Sequence, residues 1–267
     1  MGMLIVIRGA GDIASGIALR LYRAGMDIVM CECDHPTAIR RTVCFSEAVR
    51  LGETYVEGFR AVRAQIGEVP GLLEQGIIPV LVDPEAECIA ALRPDAVVDA
   101  ILAKKNLGTT RDMAKVVVAV GPGFTAGEDC HAVVETMRGH TLGRVNYAGS
   151  ALPNTGIPGL IGGFSGERVL RAPCDGIFHA LRQIGDQVNE GEIVGEVEGM
   201  PMTATITGVL RGILPDGTPV TKGMKSGDVD PRCQIENCFT ASDKALAVGG
   251  GVLEAVLGLT GVLKGEH

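Results

Sequence analysis

Residues 3–34, MLIVIRGAGDIASGIALRLYRAGMDIVMCECD, constrain the fold more than any other stretch of the chain. Met3 to Ile7 form a continuous apolar run, which is typical of a strand covered on both faces. Apolar residues at helical spacing follow as far as Gly25, and a second apolar run covers Ile28 to Cys31. The order predicts a strand–helix–strand unit. Strands continue to alternate with helical patterns to residue 165, which predicts a Rossmann-like, doubly wound parallel sheet.

The turn after the first strand carries the main candidate binding residues. Gly9, Gly11 and Ala14 match the G-x-G-x-x-G/A pattern, in which glycines allow a tight turn and a close approach to a pyrophosphate. Asp12 is a further candidate contact to phosphate, at the start of a helix that offers its N-terminus to an anion. Glu32 follows about 20 residues later, where a carboxylate can bond a ribose hydroxyl. The pattern predicts NAD or another nucleotide; the alternative is a glycine turn kept only for close packing.

Other candidate ligand contacts are basic residues and glycines expected at the carboxyl ends of the strands, where open α/β sheets bind ligands. Glu32 favours NAD over NADP because it would repel a second phosphate, and nearby arginines oppose that preference. These further cofactor-binding candidates are Arg40, Arg41, Lys104, Gly121 and Gly123, with Lys105 as additional charge. The sequence identifies no catalytic residues.

Charge and hydropathy exclude several classes of protein. The net charge of −8 argues against a nucleic-acid binder, which needs a basic face. Apolar runs are shorter than the roughly 20 residues of a membrane span, and the N-terminal run is too short for a signal peptide. The 8 cysteines are scattered, as is usual for reduced thiols. We expect a soluble, cytoplasmic protein.

Two histidine-containing groups are weaker candidates. Cys31, Cys33 and His35 alternate, so an extended chain would point them to one side, as a soft-metal site requires. Cysteines in strands are more often small buried hydrophobes, and we predict no metal site. His131 and Glu135 are four residues apart in a predicted helix, either as an acid–base pair or as a surface pair.

Residues 166–235 contain an internal repeat. At an offset of 32 residues, Ala172 aligns with Ala204 and Gly176 with Gly208, and three further glycine pairs keep the same register. These halves, and the EGMPM stretch between them, resemble the biotinyl/lipoyl barrel-sandwich domain, a smaller all-β domain. That family carries its cofactor on a lysine where this chain has Pro201. We therefore expect neither biotin nor lipoate.

The expected organisation is a nucleotide-binding domain at 1–165, the barrel-sandwich domain at 166–235 and a C-terminal segment at 236–267. The last segment is strongly apolar and contains a glycine triplet, Gly249–Gly251, which either approaches a phosphate or lets the helix that follows it pass close under the sheet. It predicts a helix that packs back on the first domain or on a second copy in a homodimer.

Motifs along nearly the whole chain resemble one family, the YqeB-type accessory proteins of selenium-dependent molybdenum hydroxylase systems. They read RGAGDIASGIALRL, PTAIRRTVCFSEAV, VVDAILAKKNLGT, GPGFTAG, HAVVETMRGHTLGR, NTGIPG, ERVLRAP and SDKALAVGGGVLEA. The first part is also similar, more weakly, to the XdhC accessory proteins. The resemblance implies a maturation role for a client enzyme of the xanthine dehydrogenase type, with a molybdopterin-type cofactor as cargo.

Two other functions stay open at this point. One is an NAD-dependent oxidoreductase acting on a small metabolite, with His35, His131 or His140 as the acid–base group. The other is a non-catalytic interaction protein. In the maturation hypothesis Cys31 or Cys33 is a candidate soft partner for selenium.

Overall fold

The computed structural model describes residues 2–262 and divides into two compact units. The first contains residues 2–36, 44–155 and 241–262 of the described chain, and the second contains 37–43 and 156–240. The predicted boundaries, 165 and 235, differ from the observed ones, 155 and 240, by ten and five residues, and they assign 37–43 to the other unit. Each unit is described by itself below.

The first unit contains five helices and nine strands among the described residues. The helices are α1 (Asp12–Arg23), α2 (Glu47–Leu51), α3 (Val69–Glu74), α4 (Cys88–Leu92) and α5 (Asp243–Thr260). The strands are β1 (Leu4–Arg8), β2 (Asp27–Glu32), β3 (Glu53–Val56), β4 (Phe59–Ala64), β5 (Ile78–Val82), β6 (Ala96–Asp99), β7 (Val116–Val120), β8 (Ala132–Val134) and β9 (Val145–Asn146). The predicted strand–helix–strand start is confirmed as β1, α1 and β2.

These strands form one nine-stranded mixed sheet in the order β3-β4-β5-β2-β1-β6-β7-β8-β9. The interior pairs are parallel, with Ile7 of β1 beside Met30 of β2 and Val98 of β6. At the two edges β3 pairs antiparallel with β4, and β9 pairs antiparallel with β8. The central strands are almost wholly buried, as their continuous apolar runs predict.

The predicted fold class, a Rossmann-like doubly wound parallel sheet with a barrel-sandwich domain, is wrong. A doubly wound sheet carries a helix in each crossover, whereas the connections at 100–115 and 121–131 are irregular. Both edges of the sheet are antiparallel. The predicted helix containing His131 and Glu135 is strand β8 with its flanking residues. The all-β part consists of two separate antiparallel sheets.

Helix α5 packs closely along helix α1 because small residues face each other. A Cβ at Gly16 would lie 2.5 Å from the Cβ of Ala245, and one at Gly249 would lie 2.9 Å from the carbonyl oxygen of Gly16. Ser242 caps α5 by accepting a hydrogen bond from the Ala245 amide at 3.1 Å. Within the glycine triplet, Gly249 therefore serves the packing of α5 on α1, and the triplet lies inside the helix rather than before it. The structure describes a single copy of the chain, so the predicted homodimer stays a prediction.

The second unit is built from two four-stranded antiparallel sheets, in the orders β10-β17-β15-β12 and β14-β13-β11-β16. Its strands are β10 (Val169–Arg171), β11 (Gly176–Ala180), β12 (Gln187–Val188), β13 (Ile193–Val197), β14 (Met200–Thr203), β15 (Gly208–Ile213), β16 (Thr218–Val220) and β17 (Lys225–Asp230). The 32-residue repeat relates β11, β12 and β13 to β15, β16 and β17. The two halves of the repeat exchange their short strands: β12 of the first half pairs with β15 of the second, and β16 of the second half pairs with β11 of the first.

The EGMPM stretch forms the hairpin between β13 and β14. Its turn is Glu198–Gly199, and both residues have positive φ, +50° and +76°, as tight hairpin turns require. Pro201 lies in β14 beside Glu196 of β13. β14 is an edge strand, where a residue without a backbone N–H is tolerated. Proline at this position is therefore compatible with the hairpin.

No helix within residues 2–262 is both long enough and apolar enough to cross a membrane. Helix α5, the most hydrophobic, is interrupted by glycines and packs on α1, β7 and β8. This agrees with the short apolar runs of the sequence.

The contact between α1 and α5 leads to a paired stability prediction. Gly16→Ala forces a methyl group into Ala245, and we expect a loss of about 1–3 kcal/mol in the free energy of unfolding. Gly250→Ala is the matched control, since a Cβ there meets nothing within 4 Å. It should stabilise the helix by roughly 0.5–1 kcal/mol. Urea denaturation followed by circular dichroism measures both, and equal effects of the two changes would contradict this packing.

Candidate functional site

A cleft in the first unit lies at the carboxyl ends of β1, β2, β5 and β6, and we call it the strand-end cleft. Its volume is about 530 Å³. The lining residues are Gly9, Cys31, Glu32, Cys33, Pro84, Glu85, Ile101, Leu107 and Gly108. Parallel α/β sheets place ligands at this edge, because strand ends and loops leave side chains and backbone groups free there. The predicted residues Gly9 and Glu32 therefore lie at a plausible ligand site.

The turn after β1 is shaped by glycine. Gly9 has φ +100°, and a Cβ on it would lie 2.9 Å from the carbonyl oxygen of Ala100. Its amide donates to the carbonyl oxygen of Cys31 at 2.7 Å, which ties the turn to β2. Gly11, just before α1, has open space where its Cβ would be, with no atom within 4 Å. The turn therefore needs glycine at position 9 for packing and leaves room for a ligand at position 11.

Glu32 bonds the glycine turn itself. Its Oε2 accepts a hydrogen bond from the Ala10 amide at 2.9 Å, and its Oε1 accepts one from the Cys33 amide at 2.8 Å. The sequence predicts that Glu32 contacts a ribose hydroxyl, and such a contact requires the carboxylate to face a ligand. A phosphate at the Ala10 amide would have to displace a carboxylate of the same charge. An anion is better accommodated beside Gly11 and the first turn of α1, where helix N–H groups lack intrahelical partners.

The wall of the cleft is held by a buried ion pair that the sequence analysis missed. Arg8, at the end of β1, is 1% exposed, and its Nη1 lies 3.6 Å from Oδ2 of Asp99. Thr109 links the two, accepting from Arg8 and donating to Asp99. The Arg8 guanidinium also donates to the carbonyl oxygens of Pro84 and Leu107 at 3.2 and 3.0 Å. These contacts fix two loops of the cleft to β1. The sequence signal for this ion pair was Arg8 itself, a charged residue at the end of an otherwise apolar strand.

The thiols of the cleft are protonated near neutral pH. The hydrogen bond with Cys88, together with burial, raises the pKa of Cys31 far above its ordinary value. Partial desolvation of the Cys33 thiol, in an otherwise exposed residue, is reinforced by the Glu32 carboxylate and raises its pKa to about 11. A thiol is nucleophilic only as the thiolate. Neither cysteine is therefore prepared to act as a nucleophile without a partner that removes its proton.

The two arginines predicted to contact a nucleotide are hydrogen-bonded within the second unit. Arg40 and Arg41 belong to the second unit, where Arg40 donates to the carbonyl oxygens of Asn237 and Thr240, and Arg41 donates to that of Ile213. Their predicted role at a nucleotide stays a prediction, although these bonds commit them to backbone carbonyls.

The loop residues among the candidates are shaped by backbone packing. Lys104 is exposed and has φ +63°. A Cβ at Gly121 would lie 2.9 Å from Oγ1 of Thr136, and one at Gly123 would lie 2.7 Å from the backbone of Lys105. Glycine is thus needed at both positions by the loop itself.

Four further candidate residues make contacts within the protein. Ala14 is buried in α1, as its close-packing role requires, and Asp12 begins that helix. His131 accepts a hydrogen bond from the Val117 amide through Nδ1. The buried Glu135 carboxylate accepts from the amides of Thr136, Met137 and Leu152, so it fixes a loop.

Comparison with known proteins identifies one relative by sequence. The chain is 53% identical over 255 residues to the uncharacterized protein YqeB of Escherichia coli K12, a match that covers 95% of this chain. The chain spans 47% of the length of that relative. The resemblance to YqeB is thus confirmed for the matched residues, while YqeB itself supplies no function. No protein-family model matches the chain.

Three solved structures that match the chain are distant from it in sequence and in fold. An aspartoacylase family protein from Mesorhizobium loti is 12% identical with a TM-score of 0.29, over 86% of this chain and 85% of that one. A succinylglutamate desuccinylase/aspartoacylase from Rhodobacter sphaeroides is 12% identical with a TM-score of 0.27, over 85% of each chain. The ectoine utilization protein EutE from Ruegeria pomeroyi is 11% identical with a TM-score of 0.25, over 85% of each chain. Scores this low carry no argument about activity.

The topology of the sheet corrects the classification expected from sequence. The mixed sheet and its helix-free crossovers exclude the doubly wound class. The labels Rossmann nucleotide-binding fold and biotinyl/lipoyl-like domain are therefore withdrawn as classifications of this chain, whereas the maturation role is a separate hypothesis that the fold does not test.

The buried ion pair gives a prediction about the cleft wall. Arg8→Met leaves the Asp99 carboxylate buried without its cation, and we expect unfolding to become easier by about 3–5 kcal/mol. Thr109→Val removes the bridging hydroxyl and should cost about 1–3 kcal/mol. Both are measured by urea denaturation.

Arg60→Met is the control, because Arg60 pairs with Glu53 on the surface, where an ion pair adds little. A wild-type stability in both Arg8→Met and Thr109→Val would show that the network does not hold the wall.

Proposed function

We propose that the chain is an accessory protein of a molybdenum hydroxylase and binds a small phosphate-bearing ligand of the molybdopterin type in the strand-end cleft. The observation that carries the proposal is the cleft itself, which is lined by Cys31, Cys33, Ile101 and Leu107, together with an open position at Gly11 beside α1. The resemblance to the YqeB-type accessory proteins supports the choice of client enzyme. YqeB is uncharacterized, so the identity of the ligand and the client rests on this proposal.

The chemistry of the lining favours one orientation of such a ligand. Glu32 and Glu85 make the cleft acidic, so a phosphate group is repelled from its interior. Gly11 leaves space for the phosphate outside, next to the positive end of the 12-residue helix α1. The ring and sulfur atoms of a pterin dithiolene then face Cys31, Cys33, Ile101 and Leu107, which are soft or apolar.

An oxidoreductase is the less supported alternative. The lining residues are glycines, carboxylates, thiols, proline and aliphatic side chains. An acid–base group with a pKa near neutrality is needed beside a nicotinamide. The two thiols have raised pKa values, and Glu32 is committed to backbone amides. NAD-linked turnover in the absence of any client would nevertheless favour the oxidoreductase.

A charge reversal in the cleft tests the proposal. Leu107 lines the cleft and is 40% exposed, so Leu107→Glu adds a third carboxylate without burying it. We expect the affinity for a molybdopterin phosphate, measured by fluorescence titration, to fall by at least about tenfold, which corresponds to about 1.4 kcal/mol. Activation of the apo-hydroxylase by the purified chain should fall in parallel.

Leu51→Glu is the matched control, because Leu51 is an exposed leucine of the same unit, at the end of α2 and outside the cleft lining. It should leave both readouts unchanged. Absence of binding by the wild-type chain, or equal losses in the two variants, would refute the assignment of the cleft. Binding without activation of any hydroxylase would refute the accessory role alone.

A further inference from the structure

Three side chains of the types that bind metal ions lie close together at the ends of strands β2 and β5. The Sγ atoms of Cys31 and Cys88 and a carboxylate oxygen of Asp83 all lie within 4.8 Å of one another. Cys31 is near the end of β2, Asp83 follows β5, and Cys88 begins α4. β2 and β5 are parallel neighbours with Cys31 beside Leu81, which brings the loop after β5 back to the end of β2. The topology thus joins residues that are 57 positions apart in sequence.

The carboxylate of the group is held in place by backbone. Oδ1 of Asp83 accepts from the Glu87 amide and Oδ2 accepts from the Cys88 amide, both at 2.9 Å. A carboxylate oxygen has a second lone pair, so each oxygen keeps the capacity to bind an ion. Hydrogen bonds that fix the orientation of a ligand are typical of metal sites. Asp83 is therefore both oriented and available.

The sulfur spacing suits a shared ion better than a disulfide. The two Sγ atoms are 3.4 Å apart. A disulfide needs about 2.05 Å. Two thiolates at about 2.3 Å from a tetrahedral zinc ion lie about 3.8 Å apart. The observed separation requires only a small opening to admit the ion, and both cysteines are nearly fully buried, which limits exchange with outside thiols.

The group is reachable from two sides. Cys31 lines the strand-end cleft, while Asp83 and Cys88 line a second cleft of about 390 Å³ together with Gln65 and Glu87. Three protein ligands leave one tetrahedral position for water or an added ligand, which is the arrangement of open zinc sites. An ion at this point would meet molecules entering either cleft.

We propose that Cys31, Cys88 and Asp83 form a binding site for a thiophilic divalent metal ion of the zinc type. Binding forms two metal–sulfur bonds and one metal–oxygen bond, and the two thiol protons leave to solvent. No electron is transferred. The site differs from the alternation Cys31, Cys33 and His35 considered from sequence, because Cys33 is exposed and His35 lies 3.7 Å from Asp34.

Cobalt titration of the full-length chain, with thiols kept reduced by a phosphine, tests the site. One equivalent of Co²⁺ should produce the thiolate-to-cobalt charge-transfer band of a two-sulfur tetrahedral site, and Zn²⁺ should displace it. Cys31→Ala and Cys88→Ala should each lose the band and weaken binding by at least about 100-fold, and Asp83→Asn by about 10- to 100-fold.

Cys130→Ala is the matched control, since Cys130 is a buried cysteine of the same unit outside the group. It should bind cobalt as the wild type does. X-ray absorption of the zinc-loaded wild-type chain gives a measurement that depends on no variant. Two sulfur neighbours at about 2.3 Å are expected, and coordination by nitrogen and oxygen alone would overturn the proposal.

Failure of reduced wild-type protein to bind cobalt, or unchanged binding in both alanine variants, would also overturn it. The test uses no cleft ligand and no client enzyme, so its outcome is independent of the proposed accessory function.

Discussion

The buried ion pair between Arg8 and Asp99 is the interaction on which the candidate site depends. The two charges sit at the ends of neighbouring parallel strands, β1 and β6, and Thr109 bonds both. Removing a guanidinium from water is costly unless its donors are satisfied, and here carbonyl oxygens of two loops accept hydrogen bonds from Nη2, while Nε makes no hydrogen bond within the described residues. These carbonyl contacts position Pro84 and Leu107, which form one wall of the strand-end cleft.

The start of the chain could be predicted because its signals are local. Apolar runs, helical spacing and Gly25 identify β1, α1 and β2, which pair as expected. The sheet class could not be predicted in the same way. HAVVET is a short apolar stretch that fits a helix or a strand by periodicity, and pairing with β7 makes it β8. Tertiary contacts also determine that β3 and β9 form the edges of the sheet. The sequence pattern therefore predicts a parallel sheet where the structure has a mixed one.

Within the site, residue types were easier to predict than partners. Gly9 is needed for its backbone conformation, as the turn pattern predicted, while Glu32 bonds the turn instead of facing outward. Arg40 and Arg41 follow Glu32 by only eight and nine residues but donate to backbone carbonyls of the second unit. Cys31 meets Cys88 only because β2 and β5 are neighbours. Sequence spacing carries no record of such a contact.

The central claim is that the edge of the sheet where β1, β2, β5 and β6 end is a ligand site. Hydrogen exchange of the full chain, with and without a molybdopterin phosphate, tests it most directly. Amides at Ala10–Ile13, Cys33 and Leu107–Thr109 should become slower to exchange when the ligand is present, because these segments surround the strand-end cleft. Protection confined to residues 156–240, with these segments unchanged, would contradict the account.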